Sequence, residues 1–110
     1  MKFSVSNIGL RPHDHLNDLA PVAAMGFEGL EAALSRIWPD DWNYPHVAEV
    51  ETYRRQVEAA GLTIVGLHSL FWKRPDYTLF GDADNIVRTI DFLVRLSSVC
   101  RDLGGKTLIY

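Results

Sequence analysis

The sequence holds a single cysteine, Cys100, so no disulfide can form within the chain. A framework of cross-links is excluded, and a lone thiol inside an amphipathic pattern is expected to pack as a small hydrophobe in a reducing compartment. Basic residues are not in excess either: 11 Lys and Arg stand against 14 Asp and Glu, for a formal charge of -3. With the cations spread along the chain, no basic stripe exists to neutralise phosphates, and nucleic acid is not an expected partner. No window approaches the roughly 18 apolar residues of a membrane span, and no apolar signal segment follows Lys2. A cytoplasmic protein with no membrane partner is the expectation. No GxGxxG, P-loop or GxSxG motif opens a helix, which disfavours dinucleotide binding and serine hydrolase chemistry.

What is present is a recurring unit. Residues 2–8, "KFSVSNI", alternate apolar and polar and read as a first strand. A helix is expected from about Asn17 or Asp18, either of which can cap it, with Pro21 in or near its first turn and Gly26 at its left-handed end. "FEGLEAAL" follows as a second strand. "HVAEVETYRRQVEAAG" places Val47, Val50, Tyr53 and Val57 on one helical face and stops at Gly61. A third strand, "LTIVGLHSL", comes next. The segment "DADNIVRTIDFLVRLSSVCRDLGG" reads as a helix with Ile86, Ile90, Leu93, Cys100 and Leu103 on one stripe, and "KTLIY" is a fourth strand.

Strands alternating with helices predict an α/β fold with a parallel sheet in β-α-β-α-β-α-β order. Two architectures fit: a small open sheet of flavodoxin type, or a partial TIM barrel, for which about 250 residues make the whole. Helix-length crossovers without hairpin signals predict the sequential strand order 1-2-3-4.

The loops are unequal. Helix-to-strand turns are short, whereas "SRIWPDDWNYP" and "FWKRPDYTLFGD" after strands two and three are long. They hold seven of the 12 aromatics, Trp38, Trp42, Tyr44, Phe71, Trp72, Tyr77 and Phe80. Ligands of α/β folds bind beyond the carboxyl ends of the strands, so this face is the candidate functional one. The same aromatics could instead cover a barrel mouth or meet a partner subunit. Polar residues mark each strand end there: Ser6 and Asn7, then Glu31, then His68 with Ser69. A carboxylate and an imidazole converging on one face can hold a divalent metal, move a proton or bind sugar hydroxyls. The plainer alternatives are an arginine partner for Glu31 and a backbone partner for His68. The "HDH" run of His13, Asp14 and His15 lacks partners elsewhere and reads as a solvated loop or helix cap.

The stretches "MKFSVSNIGL", "MGFEGLEAALSRIW" and "VETYRRQVEAAGLTIVGLHSLFW" together resemble sugar phosphate isomerase/epimerase proteins of the xylose isomerase-like TIM-barrel superfamily, along essentially the whole chain. The resemblance implies that residues 1–110 form the N-terminal half of a (β/α)8 barrel. It also implies isomerase or epimerase chemistry: metal-assisted proton transfer beside a carbonyl. Glu31 and His68 would be catalytic, with Asn7, Ser69, Trp38, Phe71 and Trp72 contacting a small sugar or polyol. A divalent ion (Mn, Mg, Co or Zn) would serve the full-length protein, with His68 the one ligand carried over from a zinc-binding branch. The remaining ligands and carboxylates of such enzymes come from later strands, so this chain could hold no metal by itself. A homo-oligomer is expected because half a barrel leaves apolar faces uncovered. Two alternatives stay open: a non-catalytic half-barrel assembly and a small-ligand binding module.

Overall fold

The computed structural model describes residues 1–40 and 45–110, so Trp42 and Tyr44 lie outside the described residues. Four strands, β1 (Ser4–Ser6), β2 (Gly29–Ala32), β3 (Thr63–Leu67) and β4 (Thr107–Leu108), form one sheet in the order β1-β2-β3-β4, every pair parallel. The helices are α1 (Leu16–Ala24), a single turn α2 (Leu34–Ile37), α3 (Val47–Ala59) and α4 (Ala83–Leu103). This is the α/β arrangement of a partial TIM barrel. A flavodoxin-type order, with the first strand between the second and third, is absent.

The helices cover one face of the sheet. Leu30, Ala32, Ile64 and Leu67 from the strands share a buried cluster with Leu19 of α1, Val50, Tyr53 and Val57 of α3, and Phe92, Leu96, Cys100 and Leu103 of α4. Ser4, Thr63, Val65 and Thr107 are exposed on the strands. The shortest dimension of 22 Å is what one sheet and one helical layer occupy.

The repeating unit has a physical basis at its helix ends. Gly26, Gly61 and Gly104 follow α1, α3 and α4 at φ +101°, +97° and +90°, a left-handed conformation that lets each chain turn back into a strand within a few residues. A different constraint acts on Gly66, where a Cβ would stand 2.5 Å from the Thr107 carbonyl oxygen. Only a bare Cα lets β4 lie this close to β3.

Several boundaries differ from the sequence pattern. The first strand stops at Ser6 because residues Asn7–Gly9 form a 3-10 turn. α1 starts at Leu16, earlier than an Asn17 or Asp18 cap requires, which leaves Pro21 inside the helix. Asp18 instead accepts the Arg11 backbone N–H at 3.0 Å and its guanidinium at 2.7–2.8 Å, and these bonds pull its carboxyl below the usual range. On α3, Val47 is exposed while Val50, Tyr53 and Val57 are buried. On α4 the buried stripe is Thr89, Phe92, Leu96, Cys100 and Leu103, and Ile90 is 50% exposed. Thr89 takes an inward position that an aliphatic was expected to hold. Its hydroxyl donates to the Asn85 carbonyl at 2.8 Å and accepts from the Thr78 N–H at 2.9 Å, so its polarity costs little there. Cys100 packs as a small buried group, and burial pushes its thiol pKa up.

Candidate functional site

The parallel register sets which side chains can meet. Ser6 pairs with Glu31, Glu31 with Gly66, and Gly66 with Thr107, so one level crosses all four strands on the face away from the helices. A register shift between Leu30 and Glu31 produces this alignment. The irregularity leaves Val65 as an extra residue and sets Leu67 opposite Ala32, both buried.

Glu31 and His68 line one small cavity of about 100 Å³ on that face, together with Val65, Gly66, Leu67, Thr107 and Ile109. The Ser4 hydroxyl donates to Glu31 Oε1 at 2.7 Å. No arginine pairs with Glu31 among the described residues, and its second oxygen carries no bond there. His68 is held at both ring nitrogens. Nε2 lies 2.8 Å from the Ser6 hydroxyl and Nδ1 lies 2.9 Å from the Ser69 hydroxyl, while the His68 backbone N–H donates to the Ala32 carbonyl at 3.1 Å. Two hydroxyls, each able to donate or accept, fix the ring plane whichever nitrogen carries the proton. Ser69 reaches this position from a left-handed backbone, φ 57°, in a residue type that seldom adopts it.

Beyond the strand ends a second recess of about 390 Å³ opens, lined by Ile8, Ser35, Arg36, Pro39, Ser69, Trp72 and Lys73. Ser69 lines this recess, and its hydroxyl bonds His68 of the inner cavity. Of the described aromatics expected at the mouth, Trp72 lines it, 58% exposed. Trp38 and Phe71 are displaced from that role. Trp38 packs with its ring 5.8 Å from Tyr53 in a groove between α1 and α3, and Phe71 lies 6.3 Å from Phe92 and 5.7 Å from Tyr110. Tyr77 stacks on Phe92 at 4.2 Å. The loops after β2 and β3 thus use these rings to fasten themselves to the helical layer.

Asn7 has a different place from the one expected. It is fully buried, its Nδ2 donates to the Ala33 carbonyl at 3.1 Å, and its Oδ1 accepts from the Ala33 N–H at 2.9 Å. The side chain imitates a strand and continues the β1–β2 ladder past both strand ends. The Tyr53 hydroxyl lies 2.9 Å from Nε2 of His15, and the nearby Asn7 side chain favours the ionised form of that hydroxyl slightly against the larger opposing effect of burial. Burial raises the Tyr53 pKa and lowers that of His15, which favours the neutral form of each. His15 is accordingly a core residue, 7% exposed, and not a solvated loop residue; Asp14 meets Arg11 at 3.0 Å. Ser6 was among the polar strand-end residues expected on this face, whereas Ser4 and Thr107 were not. Their signal is the period-two alternation with Glu31's level, which has meaning only once the register is known.

The fit of a divalent metal is incomplete. No three His, Cys, Asp or Glu side chains converge among the described residues, and both nitrogens of His68 are already engaged by hydroxyls. His68 thus stands without companion ligands, and no chemical step is assigned to a metal.

The crystal structure of D-psicose 3-epimerase in the presence of D-fructose is similar in fold, 21% identical with a TM-score of 0.71, covering 98% of this chain. This chain spans 36% of that one. No protein-family model and no curated protein match. The likeness places the four-stranded sheet within a TIM-barrel framework and goes no further than the fold. No helix among the described residues is long and apolar enough to cross a membrane.

Two predictions follow from the buried network. Asn7→Ala leaves the Ala33 N–H and carbonyl without partners, which should cost about 2–4 kcal/mol in chemical denaturation, far beyond a surface asparagine. Because burial lowers the His15 pKa below 6.5, the unfolded chain takes up that proton first on acidification. Stability should fall as pH drops from about 7 toward 5, and the loss should level off below the folded pKa. His15→Gln should flatten that part of the profile, measured as denaturation midpoint against pH.

Proposed function

We propose that this chain supplies the first four strands of a sugar epimerase or isomerase barrel, and that Glu31 and His68 are two of its reacting groups. The observation that carries the reading is their shared cavity at the carboxyl ends of β2 and β3, with His68 clamped between two serine hydroxyls. The fold likeness to an epimerase supports it. In this reading the free oxygen of Glu31 removes the proton from the carbon beside a ketose or aldose carbonyl. Protonation from the opposite face by a second acid of the whole barrel inverts that carbon, whereas return of the proton by Glu31 to the neighbouring carbon, with the hydroxyl proton passing to the former carbonyl oxygen, moves the carbonyl. His68 hydrogen-bonds the substrate oxygen on which negative charge develops, the substrate taking the place of one serine hydroxyl. Ser4 and Ser6 hold the two groups in position, and Trp72 offers an aromatic wall at the mouth.

In the protein carrying the whole barrel, Glu31→Gln should slow exchange of the substrate's carbon-bound proton with D2O by about 100-fold or more, followed by NMR. His68→Ala should lower turnover far more than stability, since one half-exposed hydrogen-bonded ring contributes about 1 kcal/mol to folding. A His68→Ala protein that kept its rate and lost its fold would make His68 a structural residue.

A second reading is favoured by the uncovered face of the sheet, where Val65 is 39%, Ile109 53% and Tyr110 71% exposed. Two copies can cover these faces and form a homo-oligomer. Sedimentation of the 110-residue chain should then give a mass above 12.4 kDa; a strictly monomeric sample with a sharp cooperative melt excludes it.

A further inference from the structure

Two cationic residues line the mouth recess. Arg36, half-buried on the turn after β2, and Lys73, in the loop after β3, both line the 390 Å³ space, and among the described residues neither side chain forms an ion pair or hydrogen bond. Ion pairs among the described residues lie elsewhere, among them Arg11 with Asp14 and Asp18, Arg54 with Glu58, Arg55 with Glu51, Arg95 with Asp91 and Arg101 with Asp102. The same recess presents the hydroxyl-bearing residues Ser35 and Ser69. Lys73 and Ser69 both occupy left-handed backbone, φ 56° and 57°. Such a conformation is strained in a non-glycine residue, and the two strained residues border one space.

We infer that this recess is an oxyanion-binding site in which Arg36 and Lys73 neutralise a phosphate or carboxylate and Ser35 and Ser69 supply hydroxyl donors. Arg36 presents a planar fork suited to two oxygens at once, and Lys73 adds a point charge. Like charges facing one another repel in the empty recess, and a dianion removes that repulsion. That the oxyanion is borne by a sugar rests on the epimerase reading. Ser69 joins the two spaces, since its hydroxyl bonds His68 while the residue lines the recess, so an anionic tail held here leaves the sugar carbons toward Glu31 and His68.

The test is calorimetric titration of the protein with four probes: inorganic phosphate, D-fructose 6-phosphate, D-gluconate and D-fructose. Phosphate should bind, more weakly as salt rises, and Arg36→Gln and Lys73→Gln should each weaken it about tenfold, whereas Arg36→Lys should retain most of the affinity. Both residues are at least partly exposed, so the variants should fold, which circular dichroism checks. Tight binding of the phosphate ester alone assigns the oxyanion to a phosphate, and an equal gain with D-gluconate assigns it to a carboxylate. Phosphate binding that the two variants abolish, with no advantage for either sugar anion, keeps the site and removes the sugar reading. No phosphate binding, or binding that both variants leave unchanged, overturns the inference.

Discussion

The upper end of this structure depends on one buried amide. Asn7 pairs with both backbone groups of Ala33 and lies near Tyr53, which in turn meets His15. Four segments are thereby joined: the turn after β1, the end of β2, the middle of α3 and the start of α1. Such a network stabilises only when each member is satisfied, because an unpaired polar group in a dry interior costs more than a satisfied one gains. Here burial favours the neutral forms of Tyr53 and His15 and so disfavours charge within the network. The strand ends that carry Glu31 and His68 are thus fixed from behind, by residues that never reach the open face.

The register irregularity in β3 does for the open face what Asn7 does for the buried one. Without an extra residue at Val65, strict alternation would oppose Glu31 and Val65, and Leu67 would change faces. The shift brings Gly66 beside Glu31 and lets Leu67 join the buried cluster. Gly66 also admits the Thr107 carbonyl, so the residue that completes the Glu31 level is the one that lets β4 approach. Catalytic-type side chains and strand packing are in this way set by the same few backbone positions.

Two spaces of different character result. The inner cavity is small, flanked by a carboxylate and a clamped imidazole, and the outer recess is wider and positively charged. Ser69 stands between them in a strained conformation.

The alternation of strand and helix, the sequential parallel order and the placement of Glu31 and His68 at strand ends were legible in the sequence. Periodicity and helix-ending glycines such as Gly26, Gly61 and Gly104 are local signals, and local signals survive without knowledge of partners. The role of Asn7, the burial of His15, the inward turn of Thr89 and the removal of Trp38 and Phe71 to the helical layer were not. Each depends on a polar or aromatic group meeting a residue distant along the chain, 26 positions away for Asn7 and Ala33 and 38 for His15 and Tyr53. A polar side chain in isolation reads as exposed, and only a partner at hydrogen-bond distance allows it to be buried. The sequence by itself therefore determined the elements and their order, whereas the tertiary structure alone decided which polar groups hold the scaffold and which face the open cavity.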